Sequence, residues 1–212
     1  MQFDLFDDTQ NRILEAEDYR TFKERLIASN CDRCSLSQSR THIVVDRGNP
    51  QSSILFIGEG PGENEDRQGL AFVGRAGKLL DSLLQEIDIH PEKDTLIANV
   101  VKCRPPENRA PKMEEADTCL PYLKKQISLM NPRMIILLGA TALKHLVREK
   151  LHFSMEEQAG KIFKLQEFPS ADGMVLYHPA YLLYDPRKTE AMKTHLKALR
   201  EHLETHKIPP LI

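Results

Sequence analysis

The chain has 212 residues, 41% of them hydrophobic and 28% charged, with a formal net charge of −2, enough for one well-cored globular domain. It contains no apolar run of membrane-spanning length, and its first residues are acidic rather than signal-like, so a cytoplasmic protein with no membrane partner is expected. The net charge lends no support to a nucleic-acid partner, and any such binding must use a local basic face.

Residues 1–17 read as an acidic N-terminal extension, 18–206 as one domain and 207–212 as a tail. The spacing of Tyr19, Phe22, Leu26 and Ile27 predicts a helix over 18–29, directly ahead of Cys31 and Cys34. Four short apolar runs come next, at 53–57, 95–100, 134–138 and 174–177, each stopped by turn residues. Helices are predicted at 74–87, 112–130, 140–147 and 189–205. This alternation predicts an α/β fold whose parallel sheet is covered on both faces. Residues 158–168 alternate in period two and predict a hairpin beside the last strand.

The unusual residues lie just after the strands. Gly58-Glu59-Gly60-Pro61-Gly62-Glu63-Asn64-Glu65-Asp66 succeeds the first, and the second ends in Asn99 and runs on to Cys103, Arg104 and two prolines. The third ends in Gly139-Ala140-Thr141, and the fourth in His178-Pro179-Ala180-Tyr181-Leu182-Leu183. Ligands of open parallel sheets bind outside the carboxyl ends of strands, so these segments are expected to converge on one crevice.

The glycine-rich loop lacks the lysine of a phosphate loop, and its four acids would repel a phosphate. A carboxylate such as Glu59 or Glu65 can instead orient a water or offset a developing cation. The Asn99 amide can donate and accept in the pattern of a base edge, although a structural role in satisfying nearby backbone is its default. His178, at a strand end, is a candidate for chemistry, and Phe72 is either core or a platform for a flat ring. The apolar stretch 180–184 either packs on the core or wedges into a base stack. Arg67, Arg75, Lys78, Lys102, Arg104, Arg109 and Lys112 gather on the same loops, as a phosphate-tracking face requires.

Cys31, Cys34, Cys103 and Cys119 are the only cysteines. In a cytosolic chain they are metal ligands sooner than disulfides, and their spacing leaves zinc and an iron–sulfur cluster both open.

Together these segments resemble the family 4 uracil-DNA glycosylases. The match rests on Cys31-x-x-Cys34, the 58–66 loop, Ala71-Phe-Val-Gly-Arg-Ala-Gly-Lys-Leu-Leu80, Asn99-Val-Val-Lys-Cys-Arg-Pro-Pro106, Cys119 and His178-Pro-Ala-Tyr-Leu-Leu183. The resemblance implies a three-layer α/β/α sandwich with a four-stranded parallel sheet, and a [4Fe–4S] cluster on the four cysteines. It also implies a monomeric base-excision-repair enzyme that hydrolyses the glycosidic bond of uracil in single- or double-stranded DNA. In that reading uracil stacks on Phe72, the Gly60 and Gly62 backbone borders it, and Asn99 reads its Watson–Crick edge. His178 stabilises charge growing on O2, Glu59 or Glu65 positions the attacking water, and Leu182 and Leu183 fill the vacated stack. Two departures from the family pattern are Glu107 and Ala110 in the loop after Cys103, and Tyr184 in place of an arginine.

Two other functions fit parts of the pattern. One is a relative that holds uracil-DNA without turning over, but the loop between Cys103 and Cys119 lacks the histidine of the covalent binders. The other is an iron–sulfur redox or nucleotide-binding protein, against which the acidic 58–66 loop argues.

Overall fold

The computed structural model describes residues 5–147 and 154–210, so the first four residues of the expected extension and the last two of the tail lie outside it. Helices α1 (Leu5–Leu14) and α2 (Tyr19–Ala28) lead into strands β1 (Asp46–Gly48) and β2 (Ile54–Gly58). Then come α3 (Glu63–Gln68), α4 (Arg75–Gln85), α5 (Pro91–Asp94), β3 (Thr95–Asn99), α6 (Met113–Met130), β4 (Met134–Leu138) and α7 (Gly139–Leu146). The chain continues through α8 (Met155–Gln158), β5 (Ile162–Lys164), β6 (Asp172–Leu176), α9 (Pro179–Tyr184) and α10 (Thr189–Thr205).

Strands β2, β3 and β4 are buried along their whole length, as expected of aliphatic runs covered on both faces. The sheet order is β1-β3-β2-β4-β6-β5. Neighbours among β3, β2, β4 and β6 pair in parallel, while β1 and β5 add antiparallel edges. The sheet therefore has six strands, not the expected four. Edge strand β1 reads Asp46-Arg47-Gly48, with no apolar alternation to reveal it. The 158–168 stretch supplies a single strand, β5, paired with β6 rather than folded on itself.

The period-two alternation of strand side chains divides the core. Ile54, Phe56, Ile97, Ile136 and Met174 belong to one cluster with Leu80 and Leu84 of α4, Leu182 of α9 and Leu196 of α10. Leu55, Ile57, Leu96, Ile135 and Val175 belong to the other, with Leu120 and Leu123 of α6 and Leu143 of α7. A third cluster joins Ile13, Phe22 and Leu26 to Tyr122 of α6, so α1 and α2 pack outside the sandwich. Helix α2 begins as its sequence dictates, with the Asp18 carboxylate accepting the Thr21 N–H at 2.8 Å. Among the described residues, no helix is long and apolar enough to cross a membrane.

Strand register brings the strand ends level with one another. Gly58 pairs with Asn99, and Leu138 with Leu176. The parallel strands thus release Glu59, Asn99, Gly139 and His178 at one edge of the sheet.

Candidate active site

A cavity of about 490 Å³ opens at that edge, with Glu59, Phe72, Asn99, Arg109, His178 and Tyr181 in its wall. Phe72 forms one side. It has a positive φ of 54°, a conformation disfavoured for a bulky residue and kept only where the surroundings enforce it. Two glycines let it sit there. A Cβ on Gly58 would lie 2.5 Å from the Phe72 ring and 2.6 Å from Asn99 Oδ1, and one on Gly77 would lie 1.8 Å from the Phe72 carbonyl oxygen. The Phe72 ring stands 5.7 Å from that of His178, tilted by 38°. The sequence therefore brings an aromatic face, an amide and an imidazole around one small volume.

Asn99 is 1% exposed, yet neither its Oδ1 nor its Nδ2 has a hydrogen-bond partner. Buried amides are almost always satisfied, so the default role as a backbone-satisfying side chain does not hold. A donor and an acceptor kept free at a cavity wall suit a ligand that offers the complementary pair.

His178 is held in one tautomer. It is the N-cap of α9, and its Nδ1 accepts the Ala180 N–H at 3.2 Å, which leaves the proton of the neutral ring on Nε2. Burial pushes its pKa down to about 4. At neutral pH it is an uncharged N–H donor at the cavity.

The four acids of the 58–66 loop take four different places. Asp66 is buried and accepts the backbone N–H groups of Thr41 and His42. Glu63 is exposed, 3.9 Å from Arg104. Glu65 accepts the Gly74 N–H at 2.6 Å through Oε1, fixing the start of α4 just behind Phe72. Glu59 and Glu65 both line the cavity, and Thr141 Oγ1 donates to Glu59 Oε2 at 2.5 Å. Thr141, recognised in the sequence only as part of a strand end, orients the carboxylate.

A profile of the Uracil DNA glycosylase superfamily matches residues 45–204. Type-4 uracil-DNA glycosylases are among the relatives. That of Sulfurisphaera tokodaii is 39% identical over 188 residues, covering 84% of this chain and 82% of its own. That of Thermotoga maritima is 46% identical over 153 residues, 72% of this chain and 78% of its own. This chain belongs to the uracil-DNA glycosylase superfamily. The matched span contains the whole sheet and every residue of the glycosylase cavity named above.

Two expectations about the DNA-facing surface of this glycosylase need correction. Leu182 is a core residue, 2% exposed, because α9 turns it onto the sheet with Leu80 and Leu196. Leu183, at 39%, and Tyr184, at 88%, are the exposed pair at that tip. Lys102 is buried too, and cannot track phosphates. Arg109 lines the cavity but is already paired, donating twice to Glu115 at 2.7 and 2.8 Å. That pairing, with Ser35 Oγ also donating to Glu115 at 2.8 Å, holds the Glu115 pKa down at about 2. Of the remaining basic residues on these loops, Arg67, Arg75, Lys78 and Lys112 lie exposed.

Cys31, Cys34, Cys103 and Cys119 line one small cavity of about 20 Å³, walled also by Leu26 and Ile43. None is in a disulfide. Among the described residues, no group of three or more His, Cys, Asp or Glu side chains is arranged to hold a single metal ion. Burial raises the thiol pKa of Cys103 to about 11 and of Cys119 to about 12, so thiolates here need a cationic centre to form. Two donors already point at the sulfurs: Lys102 N–H to Cys119 Sγ at 3.3 Å and Arg40 Nη1 to Cys103 Sγ at 3.5 Å. Four convergent thiols in an apolar wall, with N–H donors to sulfur, fit an iron–sulfur group.

Proposed function

We propose that this chain excises uracil from DNA by hydrolysing the bond between the base and its sugar, and that the strand-end cavity receives the flipped-out base. The observation that carries the reading is Asn99, whose two buried, unpartnered polar atoms face the same cavity as Phe72 and a neutral His178. Uracil presents an N3–H donor beside an O4 acceptor. Asn99 Oδ1 accepts the first and Nδ2–H donates to the second, while the Phe72 ring stacks on the base and the backbone at Gly60 and Gly62 borders it.

As the C1′–N1 bond breaks, its electron pair moves onto the base and charge grows at O2. The Nε2–H of His178 donates to that oxygen, a contact stronger in the transition state than in the substrate. Glu59 orients the water that adds to C1′ and accepts the proton that water sheds. Its charge offsets the cation developing on the sugar, and the base leaves as an anion that takes a proton from solvent. Glu65 also lines the cavity, but its Oε1 is taken up by the Gly74 N–H, so it is assigned the support of the pocket. Leu183 and Tyr184, exposed at the α9 tip, are proposed to fill the vacated stack. The pocket is complete within one chain, in keeping with a monomer.

Cys31, Cys34, Cys103 and Cys119 are proposed to hold a [4Fe–4S] cluster. When bound, the cluster supplies the positive centre that turns the four thiols into thiolate ligands and joins the α2 end to the strand-end loop.

The direct test incubates the protein with single- and double-stranded oligonucleotides containing one uracil, followed by alkali. Uracil-dependent breaks over many turnovers are expected; a stable protein–DNA adduct or the absence of uracil dependence would refute the reading. The two acids separate in the same assay. Glu59→Gln is expected to lower kcat by about 10²-fold or more. Glu65→Gln keeps an acceptor for the Gly74 N–H and is expected to stay within about threefold of the parent, the scale of one weakened hydrogen bond. The reverse order would exchange their roles.

A further inference from the structure

The buried ammonium of Lys102 takes no part in the uracil chemistry, although the side chain lies next to it. Lys102 is 1% exposed. Its Nζ donates to the carbonyl oxygen of Asn99 at 2.9 Å and reaches that of Val45 at 3.5 Å. Its own backbone N–H donates to Cys119 Sγ, and its side chain lines the cavity of the four thiols. One residue thus touches the strand end that bears Asn99, the segment before β1 and the cysteine lobe.

Burying an ammonium carries a large desolvation cost, which two neutral carbonyls and the charge of the buried Asp46 carboxylate offset only in part, and an apolar side chain of similar length avoids it. Fold stability alone therefore does not account for a lysine here. Asn99 supplies the other half of the argument. Its amide has no hydrogen bond to hold it, so its aim into the cavity depends on its own backbone and on the close walls at Gly58 and Phe72. The carbonyl that Lys102 grips is part of that backbone.

We propose that Lys102 is a positioning residue for base recognition: its ammonium clamps the Asn99 carbonyl, holds the Asn99 amide in register with Phe72 and His178, and makes the cysteine lobe and the base pocket one mechanical unit. The proposal rests on the reading of Asn99 as the residue that contacts uracil. A group displaced by about 1 Å from its productive place can cost on the order of 10²-fold in rate, which sets the expected effect.

The test is a double-mutant cycle on a single-stranded uracil oligonucleotide, with metal content and thermal melting measured for each protein. Lys102→Met is expected to lower kcat/KM by about 10–10²-fold with metal content equal to the parent's. In the Asn99→Ala background the same change is expected to have almost no further effect, because the residue it positions is gone. Additive losses, parental rates in Lys102→Met, or activity lost in proportion to metal would each overturn the proposal. Should Lys102→Met not fold, Lys102→Gln, which keeps one donor without the charge, takes its place in the cycle. If neither yields folded, metal-bearing protein, the lysine serves the fold and the proposal fails. Parental rates in Asn99→Ala would remove the Asn99 reading and this proposal together, while uracil excision by the parent would stand.

Discussion

Asn99→Ala is expected to lose uracil excision by about 10²–10³-fold in kcat/KM while melting no lower than the parent. The activity loss comes from two hydrogen bonds removed from the base, each of about 1.5 kcal/mol, with about 1.4 kcal/mol per factor of ten. The stability effect has the opposite sign to that of most polar core substitutions. In the parent both Oδ1 and Nδ2 are buried without partners, which costs roughly 1–3 kcal/mol for each such group. Alanine removes the cost and leaves a small void beside Phe72. Steady-state kinetics and a thermal melt on one preparation check both halves. A variant that melts well below the parent would mean that the amide holds the fold.

His178→Ala is expected to be the second most damaging change, lowering kcat by on the order of 10²–10³-fold, as for loss of one donor at a developing oxyanion. It also removes the α9 cap, at about 1 kcal/mol. His178→Asn keeps a capping oxygen for the Ala180 N–H, and so separates the lost cap from the lost donor. The same residue governs part of the acid stability. Its pKa falls from an ordinary 6.5 to about 4 in the folded chain. Between those values the unfolded chain binds a proton that the folded one refuses, so stability falls as pH falls from 6.5 to 4, by roughly 3 kcal/mol for a shift of this size. Urea unfolding at pH 7 and pH 4.5 should show a smaller difference in His178→Ala than in the parent. In the parent, excision should show no protonation step of His178 between pH 8 and about 5.

The strand ends were the most legible part of the site, because a parallel sheet forces loops from distant parts of the chain to one edge. Glu59, Asn99 and His178 emerge from that rule alone. The different settings of Glu59 and Glu65 were not legible, since they depend on which partner each finds: Thr141 for one and the Gly74 N–H for the other. Leu182 and Leu183 are identical in composition and differ only in which side of a six-residue helix faces the sheet. Lys102 misled for a similar reason. It stands among arginines in a loop sequence, and only the path of the chain around the cysteine lobe turns it inward. The positive φ of Phe72 and the need for Gly77 leave no trace in residue type, because a backbone conformation set by tertiary packing has no local signature.

The two short strands that widen the sheet beyond its parallel core also bear on how the protein behaves in solution. Without them, β3 and β6 would each present a five-residue edge with unpaired N–H and C=O groups, a template for strands of other chains. Strands β1 and β5 cover those edges with three residues each. On one side Asp46 and Arg47 of β1 are themselves buried, Arg47 held by Asp81, and on the other β5 carries Lys164, held by Asp172, beside the exposed Ile162. Very short edge strands are poor partners for further strand addition, so the sheet that aligns the pocket ends on both sides in a border of only three residues.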